Sequence, residues 1–211
     1  MSRPWILATR NAGKLRELRA LLATHGIEAI DLREAGVEED GPAEELIEAF
    51  DTFEENALAK ARYFSARLPG RIVVADDSGL AVEALRGAPG VHSKRWSGRG
   101  DLAGRALEAS NNALLVATMG GVENRGARFI CAAAWCDGAF ELVARGEVVG
   151  RIVDVPHGQH GFGYDPHVFV NDWGKTMADA TVAEKVTVSH RGRAFARLLV
   201  AMRARGLVGG V

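Results

Sequence analysis

Four short polar blocks follow hydrophobic segments of this 211-residue chain, and their residue types suit the chemistry of a phosphorylated ligand. The blocks are Thr9-Arg10-Asn11-Ala12-Gly13-Lys14, Ala75-Asp76-Asp77-Ser78-Gly79-Leu80, Phe162-Gly163-Tyr164-Asp165-Pro166 and Ser189-His190-Arg191-Gly192. In that order they offer a phosphate cradle, a carboxylate pair for a metal ion, an aromatic stacking surface and a cationic clamp. Hydrolysis of a nucleoside triphosphate needs all four, so the blocks predict that reaction.

The first block lies where a short apolar run, Trp5 to Thr9, gives way to a helical pattern of leucines. A helix that starts here presents free backbone N–H groups and a partial positive charge, which together bind phosphate. Asn11 is the predicted N-cap, while Thr9 and Lys14 add a hydroxyl and a full charge. The glycine spacing of a P-loop is absent. An ordinary capped helix with a solvated lysine is the alternative that these residues leave open.

The second block supplies two adjacent carboxylates after a strongly β-branched segment, Arg71 to Ala75. We expect Asp76 and Asp77 at the carboxyl end of this strand, where open α/β sheets place their ligands. Neighbours on an extended chain point to opposite faces, so one aspartate can enter a site while the other holds the loop. Carboxylate oxygens suit Mg²⁺, which also bridges to substrate phosphates. The alternative is an ordinary Asp-Asp-Ser-Gly turn.

Further charged residues lie between these two blocks. Thr52-Phe53-Glu54-Glu55 has the pattern of a capping box that starts a helix. Lys60 lies on that helix and could reach a phosphate or pair with an acidic neighbour, Glu48 or Glu55. Glu48 is a candidate for a further metal ligand, whereas Glu44-Glu45 is expected to be part of a solvated helix face.

The third block lies in a loop rich in glycine and histidine. Phe162 precedes a glycine and is poorly explained by core packing, but it would stack on a nucleobase. Asp165 would accept hydrogen bonds from a base edge. A glycine-rich turn with Phe162 tucked inward is the alternative. His157 and His160 lack a third ligand at metal spacing, so a zinc site is not expected.

The fourth block opens the last predicted helix, with Ser189 as its N-cap. His190 and Arg191 place donors beside the helix N-terminus, and Lys185 adds a charge shortly before them. Such donors suit an anion or a carbonyl oxygen. A serine hydrolase is excluded because no Gly-x-Ser-x-Gly elbow occurs.

The periodicity between the blocks predicts the elements that position them. The chain opens as β-α-β, and a hairpin is expected over residues 128 to 149 with its turn at Asp137-Gly138. Asp101 is expected to cap a helix that ends near Thr118. This alternation predicts an α/β fold with a mixed sheet, because the hairpin must be antiparallel. No linker or repeat divides residues 1 to 211, so a single domain is expected.

The composition excludes several classes of protein. The formal net charge is −1, so the chain has no global attraction to nucleic acid or to an anionic membrane. No apolar stretch is long enough to span a bilayer, and no secretory signal pattern is visible, so we expect a cytoplasmic protein. Cys131 and Cys136 should lie on opposite faces of one strand as free thiols.

Five ordered blocks make the chain resemble the inosine/xanthosine triphosphate pyrophosphatases, which act on noncanonical purine nucleotides. The fifth block is Thr52-Phe53-Glu54-Glu55-Asn56-Ala57 with Lys60, and the resemblance runs from about residue 6 to residue 204. It implies an elongated mixed β-sheet flanked by helices, with two lobes and a central cleft, as in ITPase-like and Maf-like proteins. It further implies a homodimer, a need for Mg²⁺, and cleavage of dITP, ITP and XTP to the monophosphate and pyrophosphate.

The resemblance also implies roles by position. Asp77 is the implied general base and a metal-linked carboxylate, with Asp76 and Glu48 as neighbouring metal ligands. Substrate contacts are implied for residues of every block, namely Thr9, Arg10, Asn11, Ala12, Gly13, Lys14, Lys60, Ser78, Phe162, Gly163, Tyr164, Asp165, Lys185, His190 and Arg191.

One departure from the family pattern is Phe50, which stands where a glycine is usual, close to Glu48. Two other functions are alternatives. A Maf-like nucleotide pyrophosphatase would prefer other bases, and the third and fourth blocks argue against it. A non-catalytic nucleotide-binding regulator would keep the pocket without turnover, and the Asp76-Asp77 pair argues against that.

Overall fold

A computed structural model describes residues 3–38 and 41–207 of the chain. The strands are β1 (Trp5–Leu7), β2 (Ala29–Asp31), β3 (Val73–Val82), β4 (Gly126–Cys136), β5 (Glu141–Ile152), β6 (Val168–Val170) and β7 (Lys175–Thr176). The helices are α1 (Ala12–Ala23), α2 (Gly41–Glu45), α3 (Phe53–Arg67), α4 (Gly104–Thr118), α5 (Val182–Val188) and α6 (His190–Ala204). No helix of the described residues is long and apolar enough to cross a membrane.

The seven strands form a single sheet in the order β2-β1-β3-β4-β5-β6-β7. Strand β1 runs parallel to β2 and β3, whereas every pairing from β3 to β7 is antiparallel. The predicted α/β fold with a mixed sheet is therefore confirmed. The hairpin of β4 and β5 is confirmed too, and the Asp137 carboxylate accepts the N–H groups of Ala139 and Phe140 at its turn.

Helices cover both faces of the central strands, so β3 and β4 contribute side chains to two separate hydrophobic cores. On one face α1 and α6 pack over Val74 and Trp135. On the other face α3 packs over Val73 and Ala75. Because side chains alternate along a strand, consecutive residues of β3 belong to different helical layers. The two cysteines obey the same rule, since both are buried and free and they lie in opposite cores.

Strand β3 is longer than the sequence pattern indicates, and this corrects the predicted position of the aspartates. They lie in the middle of β3, because β4 pairs with it from Val73 to Val82 without a break. However, β1 ends at Leu7, opposite Val74. The parallel part of the sheet therefore ends just before Asp76 and Asp77. The end of β1 leaves room for a cleft beside them, as expected for the carboxyl end of a strand.

The predicted cap of α4 is wrong. The helix begins at Gly104, with Ala103 in the N-cap position and no side-chain cap. Asp101 lies before that turn and binds the Arg99 guanidinium through both carboxylate oxygens, at 2.8 and 2.7 Å. The Asp101 carboxylate is therefore bound by Arg99, two residues before it, and does not accept the free N–H groups at the start of α4.

Gly146 allows α6 to pack closely on β5, and this contact generates a prediction. A Cβ built at Gly146 would lie within 2.9 Å of backbone atoms of His190 and Ala194, which is closer than real Cβ atoms come. We expect Gly146→Ala to lower the free energy of unfolding by about 1–3 kcal/mol, as overpacking does in a close-packed core. Urea denaturation measures the loss.

Gly100→Ala is the matched control, because a Cβ at Gly100 meets nothing within 4 Å and the residue does not need a left-handed backbone. An equal stability of the two variants would contradict the close packing of α6 on β5.

Candidate functional site

A cleft of about 870 Å³ opens above the end of β1, within the size range of small-molecule sites. All four predicted blocks contribute to its lining. The predicted site residues that line it are Thr9, Arg10, Asn11, Lys14, Glu48, Lys60, Asp77, Ser78, Phe162, Gly163, Tyr164, Asp165, Lys185, His190 and Arg191. Ala12, Gly13 and Asp76 are not among the lining residues.

The N-terminus of α1 faces this cleft as a phosphate cradle would. The Asn11 side chain accepts the Lys14 N–H at 2.9 Å, so the predicted N-cap is confirmed. The Thr9 hydroxyl accepts the Asn11 N–H at 3.2 Å and fixes the turn before the helix. No acidic residue stands in the first helical turn to neutralise its partial positive charge. An anion in the cleft would therefore meet an uncompensated helix end.

Arg10 joins this cradle to α2. Its guanidinium binds both carboxylate oxygens of Glu44, at 2.7 and 3.2 Å, and the carbonyl oxygens of Val37 and Glu38. The expected solvated face is therefore wrong for Glu44, because a cation 34 residues away binds its carboxylate. The side chain of Glu45 lies outside the described part of the chain.

Asp76 is completely buried and gathers the cations of the site. Its carboxylate lies 3.1 Å from Lys14 Nζ and 3.0 Å from Arg191 Nη2, and its carbonyl oxygen accepts Lys60 Nζ at 2.8 Å. Burial opposes ionisation, but Lys14, Arg191 and Lys60 outweigh it and hold the pKa of this carboxyl far below its usual range. Asp76 is therefore a fixed negative charge beneath the cleft.

Asp77 points to the other side of β3, towards α3 and the cleft. Its carboxylate accepts the Asn56 amide at 3.0 Å and the Ser78 backbone N–H at 2.9 Å. Burial, with a smaller contribution from Glu48, raises the pKa of Asp77 above its usual range, although nearby lysines pull it down. A carboxyl oriented by two donors, with its pKa raised, suits a group that takes up a proton.

Asn56 is a site residue that the sequence reasoning did not single out as functional. It is 1% exposed and also bonds the backbone N–H and C=O of Phe50, at 2.9 and 3.2 Å. Phe50 itself does not have a left-handed backbone, so the backbone conformation at this position does not require a glycine. The segment that carries Glu48 is thus tied to Asp77 through one amide.

Glu48 and Lys60 form an ion pair at the cleft wall, so Glu48 is the acidic neighbour that pairs with Lys60. Glu55 does not complete the predicted capping box, because its carboxylate accepts the hydroxyl of Thr52, the N-cap of α3, at 2.6 Å and not the Thr52 backbone N–H. Burial opposes the charge of Lys60, but Glu48, Asp77 and Asp76 outweigh it and raise the pKa of the ammonium group. Lys60 therefore stays charged and close to both aspartates.

The three predicted metal ligands do not form a ready metal site. Among residues 3–38 and 41–207 no three histidine, cysteine or acidic side chains are placed to hold an ion together. The reason is the strand geometry, since the Asp76 carboxylate lies with α1 and α6 while Asp77 faces α3. Of these three predicted ligands, Glu48 and Asp77 line the cleft and Asp76 does not. Two carboxylates are a usual protein contribution to a Mg²⁺ site, where water and phosphate complete the shell.

The third block forms the opposite end of the cleft. Phe162 is half-buried, while Tyr164 is buried and donates its hydroxyl to the Ser93 carbonyl at 2.8 Å. One oxygen of Asp165 accepts Lys185 Nζ at 2.6 Å and the Phe162 N–H at 3.2 Å. That oxygen of Asp165 holds the loop in place and is already bonded before any ligand enters.

The two central residues of the fourth block differ in what they can offer a ligand. Arg191 is 1% exposed, and its guanidinium binds Asp76, Glu17 and the Ser78 hydroxyl. His190 stacks on Phe129 with ring centroids 4.9 Å apart, and its buried Nδ1 has no partner. Burial and the Arg191 charge hold the pKa of His190 well below its usual value, so the ring is neutral at pH 7.

Glu17 is the second residue that the sequence reasoning missed. It is 8% exposed and lies between two cations of the site, with Lys185 at 3.4 Å and Arg191 in contact. The signal was its place on α1 three residues after Lys14, which puts both on one face of the helix. Glu17 thereby connects Lys185, which binds Asp165 of the third block, to Arg191, which binds Asp76.

Comparisons with known proteins agree over nearly the whole chain. Residues 5–201 match the model of the Ham1 family. The chain is 50% identical over 204 residues to a dITP/XTP pyrophosphatase of Nocardia farcinica, covering 94% of each. It is 47% identical to a protein of the same name from Frankia alni, over 94% of this chain and 96% of that one.

Solved structures resemble the fold equally broadly. The Ham1 protein of Staphylococcus aureus superposes with a TM-score of 0.78 at 31% identity, over 96% of this chain and all of that one, a coverage of 100%. A nucleoside-triphosphatase, dITP/XTP pyrophosphatase, of Mycobacterium abscessus gives a TM-score of 0.67 at 43% identity, over 93% and 99% of the two chains.

The burial of Asp76 generates the second prediction. Asp76→Asn leaves the buried Arg191 and the partly buried Lys14 without their shared carboxylate, so we expect the free energy of unfolding to fall by about 3–5 kcal/mol. Denaturant unfolding measures the change. Asp101→Asn, at the exposed pair with Arg99, is the control and should leave stability unchanged. A similarly small effect of both substitutions would refute the organising role of Asp76.

Proposed function

The chain belongs to the Ham1 family, and we propose that it is a Mg²⁺-dependent nucleoside triphosphate pyrophosphatase. Its substrates would be the noncanonical purine nucleotides dITP, ITP and XTP, cleaved to the monophosphate and pyrophosphate, which removes them from the nucleotide pool. The observation that carries the proposal is the Asp77 carboxylate, which has a raised pKa, faces the cleft and is surrounded by Lys14, Lys60 and the end of α1. The names of the bacterial relatives support the substrate class.

The reaction proposed is attack of water on the α-phosphorus, with pyrophosphate leaving. Asp77 would take the proton of the water, since its carboxylate lines the cleft and Asn56 orients it. Lys14 and Lys60 would stabilise negative charge on the phosphate oxygens, as fixed cations in a partly closed site do. Both ammonium groups already lie around Asp76, so their positions are set before substrate binds.

The residues present fit a magnesium ion at one place. Glu48 and Asp77 offer hard oxygen ligands on the same wall of the cleft, and Asp76 does not reach it. We propose that Glu48 and Asp77 hold Mg²⁺, and that Asp76 acts by fixing the neighbouring cations. When bound, the ion would neutralise charge that develops on the phosphate oxygens.

Base selection would rest on the base-side end of the cleft. Phe162 would stack on the base, and the Nδ1 atom of His190 is a buried polar atom at this end without a hydrogen-bond partner. Arg191 contributes less directly than expected from the sequence, because Asp76, Glu17 and Ser78 already bind its guanidinium. Its guanidinium also lies over the Phe162 ring, 5.7 Å from the ring centroid, so its effect on the base would pass through that ring.

Association and location are further parts of the proposal. We propose a homodimer, since β5 exposes Val149 at 56% and Val143 at 37% on the face away from α6. Light scattering on the purified protein decides this. A cytoplasmic location fits enzymes that act on free nucleoside triphosphates. Nucleic acid and membranes are not expected as partners.

The function itself is tested with a substrate panel at saturating Mg²⁺. We expect pyrophosphate from ITP, dITP and XTP, and turnover of ATP lower by several orders of magnitude, because a polar site rejects a base that presents the wrong hydrogen-bonding group. Preference for a pyrimidine nucleotide would favour the Maf-like alternative. Binding of ITP without turnover would favour the non-catalytic regulator.

The assignment of Asp77 gives its own prediction. Asp77→Asn keeps the shape of the side chain but removes the base and a metal ligand, so kcat should fall by roughly 10²-fold or more. Pyrophosphate release from ITP is the readout, with Asp101→Asn as the control of wild-type activity. Near-wild-type turnover of Asp77→Asn at saturating Mg²⁺ would remove Asp77 from the mechanism.

A further inference from the structure

We propose that Gly13 is a positioning residue for the nucleobase, because it provides the surface against which the ring of Phe162 packs. A side chain at this position would displace the ring from the place where it meets the base. The inference rests on the proposed function, since that function supplies the nucleotide on which Phe162 would stack.

The contact joins the first turn of α1 to the base-side loop. A Cβ built at Gly13 would lie within 2.8 Å of three carbon atoms of the Phe162 ring, and real Cβ atoms essentially never come closer than 3.0 Å to another heavy atom. The half-buried ring therefore rests directly on the Cα of Gly13. This is the point where the phosphate side of the cleft meets its base side.

Space, rather than backbone conformation, requires glycine here. Gly13 is helical and does not have a left-handed φ, so an L-residue fits its backbone. Inside a helix, glycine is less favourable than alanine because it loses more conformational freedom on folding. Local preference and the ring contact thus oppose each other at this position, and the ring contact explains why the smallest residue is needed.

The loop around Phe162 is fixed, so a methyl group at Gly13 would move the ring. Asn112 on α4 donates its side-chain N–H to the Gly163 carbonyl at 3.0 Å, and the Tyr164 hydroxyl bonds the Ser93 carbonyl at 2.8 Å. The Phe162 N–H is held by Asp165 at 3.2 Å. Because these bonds anchor the backbone at Phe162 and at the two residues that follow it, we expect the ring itself to turn away from α1 and to leave its present position.

The test measures binding and not turnover. Gly13→Ala should keep the fold, because alanine favours the helix. The affinity for the non-hydrolysable α,β-imido analogue of ITP is measured with Mg²⁺ by isothermal titration calorimetry. We expect it to be at least about 5-fold lower than that of the wild type, which is the lower end of what one base–aromatic stack contributes. Affinity for inorganic triphosphate, which has no base, should be unchanged. Gly100→Ala is the matched control, because Gly100 also lines the cleft but its added methyl group meets nothing within 4 Å and so does not touch Phe162.

A double-mutant cycle separates the ring contact from other effects. In the Phe162→Ala background, Gly13→Ala should cause no further loss of affinity for the analogue, because the ring it would displace is gone. An equal loss for inorganic triphosphate, or a loss that persists without the ring, would overturn the proposal and make Gly13 a phosphate contact only.

The same four proteins distinguish failure of this inference from failure of the proposed function. If the wild type does not bind the ITP analogue, the proposed function is wrong. The double-mutant cycle is then measured on the free energy of unfolding of the wild type, the two single variants and the double variant. Coupling between Gly13→Ala and Phe162→Ala in that quantity supports the packing contact, whereas additivity refutes it.

Discussion

The site depends on one buried negative charge, the carboxylate of Asp76. It is completely removed from solvent, and an unpaired charge at such a depth would be strongly unfavourable. Lys14 from α1 and Arg191 from α6 must therefore converge on it. Through this requirement the two helices are held at the distance and orientation that present their N-termini to the cleft. The phosphate side and the base side of the site share this anchor.

Because side chains alternate between the two faces of a β-strand, the neighbouring Asp76 and Asp77 lie in different environments and have different roles. Asp76 faces the layer of α1 and α6, and Asp77 faces α3 and the cleft. The burial of both is similar, but their partners differ. Cations surround Asp76 and lower its pKa, whereas burial and Glu48 raise the pKa of Asp77 in spite of nearby lysines. A single strand thus supplies a permanent charge and a proton acceptor at adjacent positions.

Local signals in the sequence predicted the parts of the fold that local forces decide. The caps at Asn11, Thr52 and Ser189 and the turn of the β4–β5 hairpin were confirmed, because a side chain and the backbone within three residues of it determine each of them. The pairing of β3 with β4 is different, since it joins segments that are far apart in the chain. It extends β3 beyond the aspartates, and no pattern within residues 71 to 82 contains that information.

The same distinction explains which site residues were found. Every predicted block contributes to the cleft, because residue types that bind phosphate or a base are recognisable one at a time. The pairing of Arg191 with Glu17 was not recognisable, since the two residues lie 174 positions apart and approach each other only in the folded chain. Arg10 and Glu44 are a similar case at a separation of 34 residues. Long-range ion pairs therefore decide which predicted donors remain available to a ligand.

The division between the two aspartates is tested most directly by the pH titration of their carboxyl groups. The measurement is carbon-13 NMR of the metal-free protein with labelled aspartate, with the Asp77 signal identified from its loss in Asp77→Asn. Asp77 should titrate with a midpoint above the usual aspartate pKa of about 3.9, while Asp76 should remain ionised well below it. Equal midpoints, or a higher midpoint for Asp76, would contradict the separation of a fixed charge from a proton acceptor on β3.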